Sequence, residues 1–244
     1  MASSPIRSRN HILTRLNHAD YDRLQSRFED ISLSLRERIY EQGRKVDYVY
    51  FPETSVISVL KVLEDGTVIE TDTIGREGMA GLPAIFGIDT SSSRAVCQVP
   101  GRARRLRADI VLAERRRGTE FAELLLRFAH VMMTMLAQGV ACNRAHSLEE
   151  RMCRWLLMTH DRVDADSFPM TQEFLAQMLG VRRPTVNLAG TSLQRAGLIR
   201  YSRGKITIVD RPRLEEASCE CYSRINAEFA RSLGVDLAVR KHKR

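Results

Sequence analysis

From residue 46 to residue 107 the apolar residues of this chain recur with a period of two, whereas from Phe121 onwards they recur every three or four positions. One element cannot satisfy both. Side chains alternate faces along a strand and return every 3.6 residues along a helix. The chain must therefore build a small β region first and a long helix after it.

In the β region, Val46, Tyr48 and Tyr50 alternate with Asp47, Val49 and Phe51. Residues 56–60 and 67–71 follow, separated by Glu64-Asp65-Gly66. Asp-Gly between two β-rich runs signals a hairpin. Residues 94–99 and 103–107 read as two more strands, with Pro100-Gly101 as the turn between them. Upstream, residues 1–18 are polar and aperiodic and read as a loose arm, and residues 20–40 as a short amphipathic helix or two. Within 19–108 the chain is thus expected to form a small antiparallel β region of roughly eighty residues.

Phe121, Leu124, Phe128, Val131, Met135, Gln138 and Cys142 are spaced 3, 4, 3, 4, 3, 4. That is a heptad seam on a helix of about 25 residues. Leu125, Met132 and Leu136 form a second stripe beside it. The first five seam residues are expected to meet a second copy of the chain, and the other stripe the β region. The plainer alternative is one helix buried along a broad face of its own domain. Connecting and dimerisation helices then occupy 109–146.

Ser147 and Glu150 make a capping box that opens a new helix, so a domain boundary falls near 146. That helix presents Met152, Trp155, Leu156 and Thr159 on one face, and residues 161–168 read as a polar loop closed by Pro169. Thr171 caps a short helix, TQEFLAQMLG, that stops at Gly180. A second helix follows Val181-Arg182, tolerates Pro184 in its first turn and ends at Gly197, with Val186, Ala189, Leu193 and Ala196 as its apolar positions. Leu175, Ala176, Leu179, Val181 and Val186 form the packed interior of a helix-turn-helix. Residues 198–201 and 205–209, joined by Arg203-Gly204, read as a β-hairpin wing.

The charge lies in the same place. Net charge is +8, and residues 167–211 hold seven basic residues (Arg182, Arg183, Arg195, Arg200, Arg203, Lys205, Arg211) against Glu173 and Asp210. Such a local excess suits a polyanion. A neutral or acidic second helix would instead favour an effector-binding signalling module that acts through protein contacts. No G-x-S-x-G, H-E-x-x-H, G-x-G-x-x-G or Walker A pattern occurs, so no enzyme is expected.

The segment QEFLAQMLGVRRPTVNLAGTSLQRAGLIRYSRGKITIVD resembles the winged helix-turn-helix of the CRP/FNR (cyclic-AMP receptor protein / fumarate-nitrate regulator) family of bacterial transcription factors. The resemblance covers about residues 25–212 and includes Val46 to Pro52 and Gly75-Arg76-Glu77-Gly78-Met79-Ala80-Gly81-Leu82. It implies an α+β chain: sensor β-roll, long dimerisation helix, winged helix-turn-helix over 147–212, and here a helical tail over 213–244. Double-stranded DNA, a second copy and RNA polymerase are the implied partners. Arg183 is the implied base reader. Arg182 and Thr185 would touch backbone or neighbouring bases, Asn187 and Thr191 would face the groove, Arg200, Arg203 and Lys205 would meet phosphates, and Thr171 is counted with these DNA-binding residues. Pro184 and Leu188 stand where the family often has Glu and Arg, so its common operator is not expected.

Nucleotide-binding members carry Gly-Glu for the ribose and Arg-Ser for the cyclic phosphate. The corresponding pairs are read here as Gly78-Met79 and Arg94-Ala95, so cyclic AMP is not the expected effector, and no cofactor is identified. The oxygen sensors use an N-terminal cysteine cluster; the first cysteine here is Cys97. His130 on the long helix leaves a haem ligand open beside a plain structural role. Cys219-Glu220-Cys221 is a lone C-x-C without a second ligand pair, so no metal site is expected. An odd count of five cysteines, no secretory h-region and no stretch of about 20 apolar residues suggest a cytoplasmic protein without a membrane span.

Overall fold

The computed structural model describes residues 8–237; the first seven residues of the expected arm and the last seven of the tail lie outside the described residues. In chain order the elements are α1 (His18–Leu24), β1 (Glu29–Leu33), β2 (Arg38–Tyr40), β3 (Tyr48–Pro52), β4 (Val56–Val62), β5 (Val68–Ile74), β6 (Arg94–Val99) and β7 (Gly101–Arg107). Then come α2 (Ala108–Arg117), α3 (Glu120–Ala145), α4 (Leu148–Arg162), β8 (Ser167–Pro169), α5 (Gln172–Leu179), α6 (Arg183–Arg195), β9 (Ile199–Ser202), β10 (Lys205–Ile208), α7 (Arg211–Glu216) and α8 (Cys221–Leu233). This is the expected α+β order of β-roll, long helix and winged helix-turn-helix.

Two antiparallel sheets make the roll, in orders β1-β7-β3 and β2-β6-β4-β5. The Asp65-Gly66 hairpin joins β4 to β5, with Leu63 N–H donating to Thr67 O. Pro100 does not close a hairpin: β6 and β7 belong to different sheets, and the chain crosses between them there. Val49, Phe51, Val56, Ile57 and Leu106 are buried and join one continuous core with α3.

Three readings of the sequence are corrected. Residues 29–33 and 38–40 are strands, not helix. β1 is recruited by β7, which sets Glu29 opposite Arg105 and Asp30 opposite Arg104 in ion pairs of 2.6 and 2.8 Å. The described part of the arm is a fastened strap. Asn10 Nδ2 donates to Pro52 O and Gly78 O at 2.9 and 2.8 Å, and Ile12, Leu13 and Leu16 are buried. Part of the polar loop before Pro169 is strand β8, which pairs with β10 and makes the wing three-stranded.

Thr119 caps α3, its hydroxyl accepting from Ala122 N–H. By length and composition alone α3 could cross a membrane, which corrects the reading that no segment could. Phe121, Leu124, Phe128, Val131 and Met135 are all buried in the protein's own core. This overturns the expected dimer seam. Phe121 packs at 6.1 Å from Phe51, and Phe128 presses on Gly78, where a Cβ would come within 2.2 Å of its ring. Leu125 and Met132 of the second stripe are buried as well. The exposed large apolar residues of α3 are Met133, Leu136 and Val140, and Val140 is 73% exposed.

Candidate nucleic-acid interface and sensor cavity

α4 is the buried spine of the C-terminal domain, and its capping box forms as expected, Ser147 Oγ accepting from Glu150 N–H and Glu150 Oε2 from Ser147 N–H. α5 begins on Thr171, whose hydroxyl accepts from Phe174 N–H at 3.1 Å. It ends on Gly180, whose φ of +64° turns the chain so that Val181 N–H reaches Ala176 O. Leu175, Ala176 and Leu179 of α5 meet Val186, Ala189 and Leu193 of α6 in a closed interior. Val181 packs half-buried at its rim, and Ala196 is exposed because α6 ends there.

That packing fixes which face of α6 is free. Arg182 is the N-cap and Arg183 and Pro184 open the helix; Arg182, Arg183, Thr185, Asn187 and Leu188 are exposed. Thr191 is half-buried, and Asn187 Oδ1 accepts from Gln172 Nε2 at 2.9 Å. The helix N-terminus adds its partial positive charge to the two guanidiniums. On the wing, Arg203 and Gly204 both have positive φ and form a two-residue turn between Ser202 and Lys205. Arg200, Arg203 and Lys205 are placed around it; Arg200 and Lys205 are exposed, as is Arg203 at the tip. Arg211, counted above with the basic excess, is spent internally: it donates to Asp161 Oδ1 at 2.6 Å and to Tyr222 Oη at 2.7 Å.

The sensor half holds a cavity of about 840 Å³ between the roll and α3. Tyr40, Ile74, Gly81, Leu82, Phe86, Ile88, Ser91 to Ser93, Met132 and Leu136 line it, with Lys61 and Asp72 as its charged residues. None of the four expected effector residues lines it. Met79 and Ala95 are wholly buried, Gly78 lies under Phe128, and Arg94 is clamped by Glu41 at 2.6 and 3.0 Å. Gly43 and Gly81 border the cavity; Gly81, three residues after Gly78, is followed by Leu82 and Pro83 rather than an acid. Burial pushes the Asp72 carboxyl up to about 7. Lys61 Nζ donates to Ser92 O and to its hydroxyl.

His130 is mostly exposed, 3.6 Å from Glu228. The expectation of no metal site rested on a C-x-C lacking a second ligand pair. The fold supplies that pair, bringing the ligand atoms of Cys142, His146, Cys219 and Cys221 within 4.8 Å of one another. The Cys142/His146 spacing, one helical turn, is the signal that could have shown it.

Residues 31–117 match the cyclic nucleotide-binding domain and residues 150–217 the Crp-like helix-turn-helix domain. No curated protein matches the chain. Among solved structures, FixK2 from Bradyrhizobium japonicum is similar at 18% identity and TM-score 0.65, over 79% of this chain and 98% of its own. A CRP/FNR-family transcriptional regulator from Thermus thermophilus is similar at 21% identity and TM-score 0.62, over 78% and 98%. The c-di-GMP responsive global regulator CLP of Xanthomonas campestris is similar at 12% identity and TM-score 0.60, over 80% and 100%. Identities this low speak for the fold; the two matched domains, in this order on one chain, carry the assignment. The protein belongs to the CRP/FNR family of transcription regulators, with a cyclic nucleotide-binding domain before a DNA-binding helix-turn-helix.

Proposed function

We propose that the protein is a homodimer that reads an inverted repeat through α6 and responds to a largely apolar small molecule rather than to cyclic AMP. The observation that carries the DNA reading is the Arg182-Arg183 pair, exposed at the start of a helix whose other face is closed. A recognition helix presents its N-terminal residues to base edges, and an Arg fork matches guanine O6 and N7. Arg200, Arg203 and Lys205 on the wing serve as phosphate anchors.

The partner surface is the free face of α3. Met133, Leu136 and Val140 are exposed there at spacings of 3 and 4, with exposed Asn143 three residues on. That is a short heptad-like stripe beside the buried faces of the helix. To read successive major grooves, the twofold axis must set the two α6 helices about 34 Å apart, one turn of DNA. RNA polymerase is the further partner of a regulator bound this way.

For the effector, Leu136 lies both in that stripe and in the cavity wall. A ligand that fills the cavity therefore bears on the dimer helix directly. The walls are mostly apolar, and a cyclic phosphate would meet the carboxyl of Asp72 with Lys61 as the basic residue lining the cavity. Selection from random DNA should return an inverted repeat, and binding should weaken steeply with salt. An asymmetric or salt-insensitive site contradicts the dimer reading. Cyclic AMP, cyclic GMP and c-di-GMP at millimolar concentration should leave the melting temperature unchanged, since a ligand at about 100 times its Kd adds about 2.7 kcal/mol. A saturable rise at micromolar nucleotide, removed by Lys61→Ala, contradicts the effector reading.

A further inference from the structure

α8 returns along α3 and brings its first turn to the point where α3 ends. Four side chains meet there. Cys142 lies in the last turn of α3, and His146, its C-cap, donates N–H to Cys142 O at 3.1 Å, which stacks the two side chains on one face. Cys219 and Cys221 come from the loop entering α8 and from its first residue. The three cysteines are buried and form a small cluster separate from the main core.

The geometry points to a tetrahedral site for one zinc ion per chain, held by the thiolates of Cys142, Cys219 and Cys221 and by Nδ1 of His146. Bonds of about 2.3 Å to sulfur and 2.0–2.1 Å to nitrogen give tetrahedral edges of about 3.8 Å between sulfurs and 3.5 Å between sulfur and nitrogen. The Cys142 Sγ to Cys219 Sγ distance is 3.5 Å, and Cys221 Sγ to His146 Nδ1 is 3.6 Å. A disulfide needs about 2.05 Å. An iron–sulfur cluster interposes its own atoms and holds thiolates further apart than one ion does.

The surroundings favour an ion as well. Glu220, between the two tail cysteines, lies 2.9 Å from His146 Nε2 and so leaves Nδ1 for the ion. This carboxylate–histidine pairing fixes the ring and raises its basicity. Gln138 Nε2 donates to Cys221 Sγ at 2.9 Å. Zinc binding releases three thiol protons to solvent and leaves the site with one net negative charge. The guanidiniums of Arg151 and Arg154 on α4 act electrostatically on Cys142 and help to offset it. Three thiolates and an imidazole complete the shell, so the site is structural and has no open position for chemistry.

Its place gives it a consequence. His146 immediately precedes Ser147, the cap of α4, so the ion fastens the tail to the joint between the long helix and the DNA-binding domain. Arg151 also donates to Leu179 O at the end of α5. Removing the ion should loosen the angle at which both recognition helices are presented.

The full chain purified without chelators should carry about one equivalent of zinc by elemental analysis. Cobalt exchanged into it should show thiolate charge transfer and the d–d bands of a tetrahedral ion. Cys219→Ser and His146→Ala should lose the metal, Cys153→Ser should keep it, and Glu220→Gln should bind it about 10–100-fold more weakly. If a cysteine variant does not fold, alkylation of the unaltered chain decides: zinc should protect three thiols, and a chelator should expose them and weaken operator binding. A folded chain that takes up no zinc or cobalt overturns the proposal. So does a Cys142–Cys219 disulfide in the purified chain, or zinc retained without Cys142 and Cys219.

Discussion

Arg183 and Arg203 are both exposed arginines of the DNA-binding domain, and the backbone beneath them separates their roles. Arg183 stands at the first position of α6, where a guanidinium can enter a major groove. Arg183→Ala should cost about 1–3 kcal/mol of specific binding and relax preference at one base pair per half-site. Arg203 sits at φ +50° in the wing turn, a conformation that glycine adopts without strain. Arg203→Gly therefore removes the charge and eases the backbone, and should weaken binding to all sequences alike while lowering the salt slope by about one. Competition titrations on matched and scrambled operators at several salt concentrations separate the two. Leu188, 72% exposed on the same face of α6, has no polar group to offer a base. Its chemistry suits a thymine methyl. Both arginines were legible in the sequence: the helix, glycine turn and second helix put Arg183 at the start of α6, and Arg203-Gly204 joins two β-rich runs. Arg94 was not. Its partner Glu41 lies on the far side of a sheet pairing that no local pattern announces.

α3 shows how far periodicity reaches at the scale of an element. The spacing 3, 4, 3, 4 from Phe121 to Cys142 correctly gives a long helix with a heptad seam, and the helix runs from Glu120 to Ala145. Periodicity does not say what a seam faces. Two stripes were visible, and both are largely taken by the protein's own roll and by α8, while the third, through exposed Met133 and Val140, is short. Phe128→Glu should therefore destabilise the whole protein and not simply split a dimer. An unpaired carboxylate would lie against Gly78 in a wholly buried site. Met133→Glu places the same charge on a residue that is 67% exposed in the single chain. It should leave the melting temperature nearly unchanged, give a folded monomer in sedimentation and weaken operator binding. A Met133→Glu protein that stays dimeric would move the partner surface off this face. Strands β1 and β2 were missed for a related reason: each is short, and its pairing with β7 or β6 is decided by residues more than fifty positions away.

The sensor and the DNA-binding domain are bolted together by charge buried in their interface, and this couples the stability of the whole molecule to pH. Arg162, at the end of α4, is 1% exposed; its Nε donates to Glu77 Oε1 at 2.7 Å and its Nη1 to Met158 O. Gly75 exists for this bolt, since a Cβ there would lie 2.6 Å from Arg162 Cγ. Breaking such a pair strands one charge in a dry site, and Glu77→Gln should cost about 3–5 kcal/mol. Around the same guanidinium lie Glu70 and Asp72 on β5, the strand that packs against α5. Burial raises Glu70 to about 8, against hydrogen bonds from Thr73 and Ser58, and raises Asp72 to about 7, against the charge of Arg162. In an unfolded chain both carboxyls ionise near 4. Between those values the folded protein keeps protons that the unfolded chain has released, so unfolding free energy falls as pH rises, by about 1.4 kcal/mol per pH unit for each retained proton. The stabilisation is complete below about pH 4 and lost as pH passes 7 to 8. His11, held below its usual value by burial, acts in the opposite direction within its own narrower range. Urea unfolding midpoints should therefore drop from pH 5 to pH 8 in the native sequence. Glu70→Gln combined with Asp72→Asn should flatten that slope and raise stability at pH 8. A slope that survives the double substitution would place the titrating groups elsewhere in the molecule.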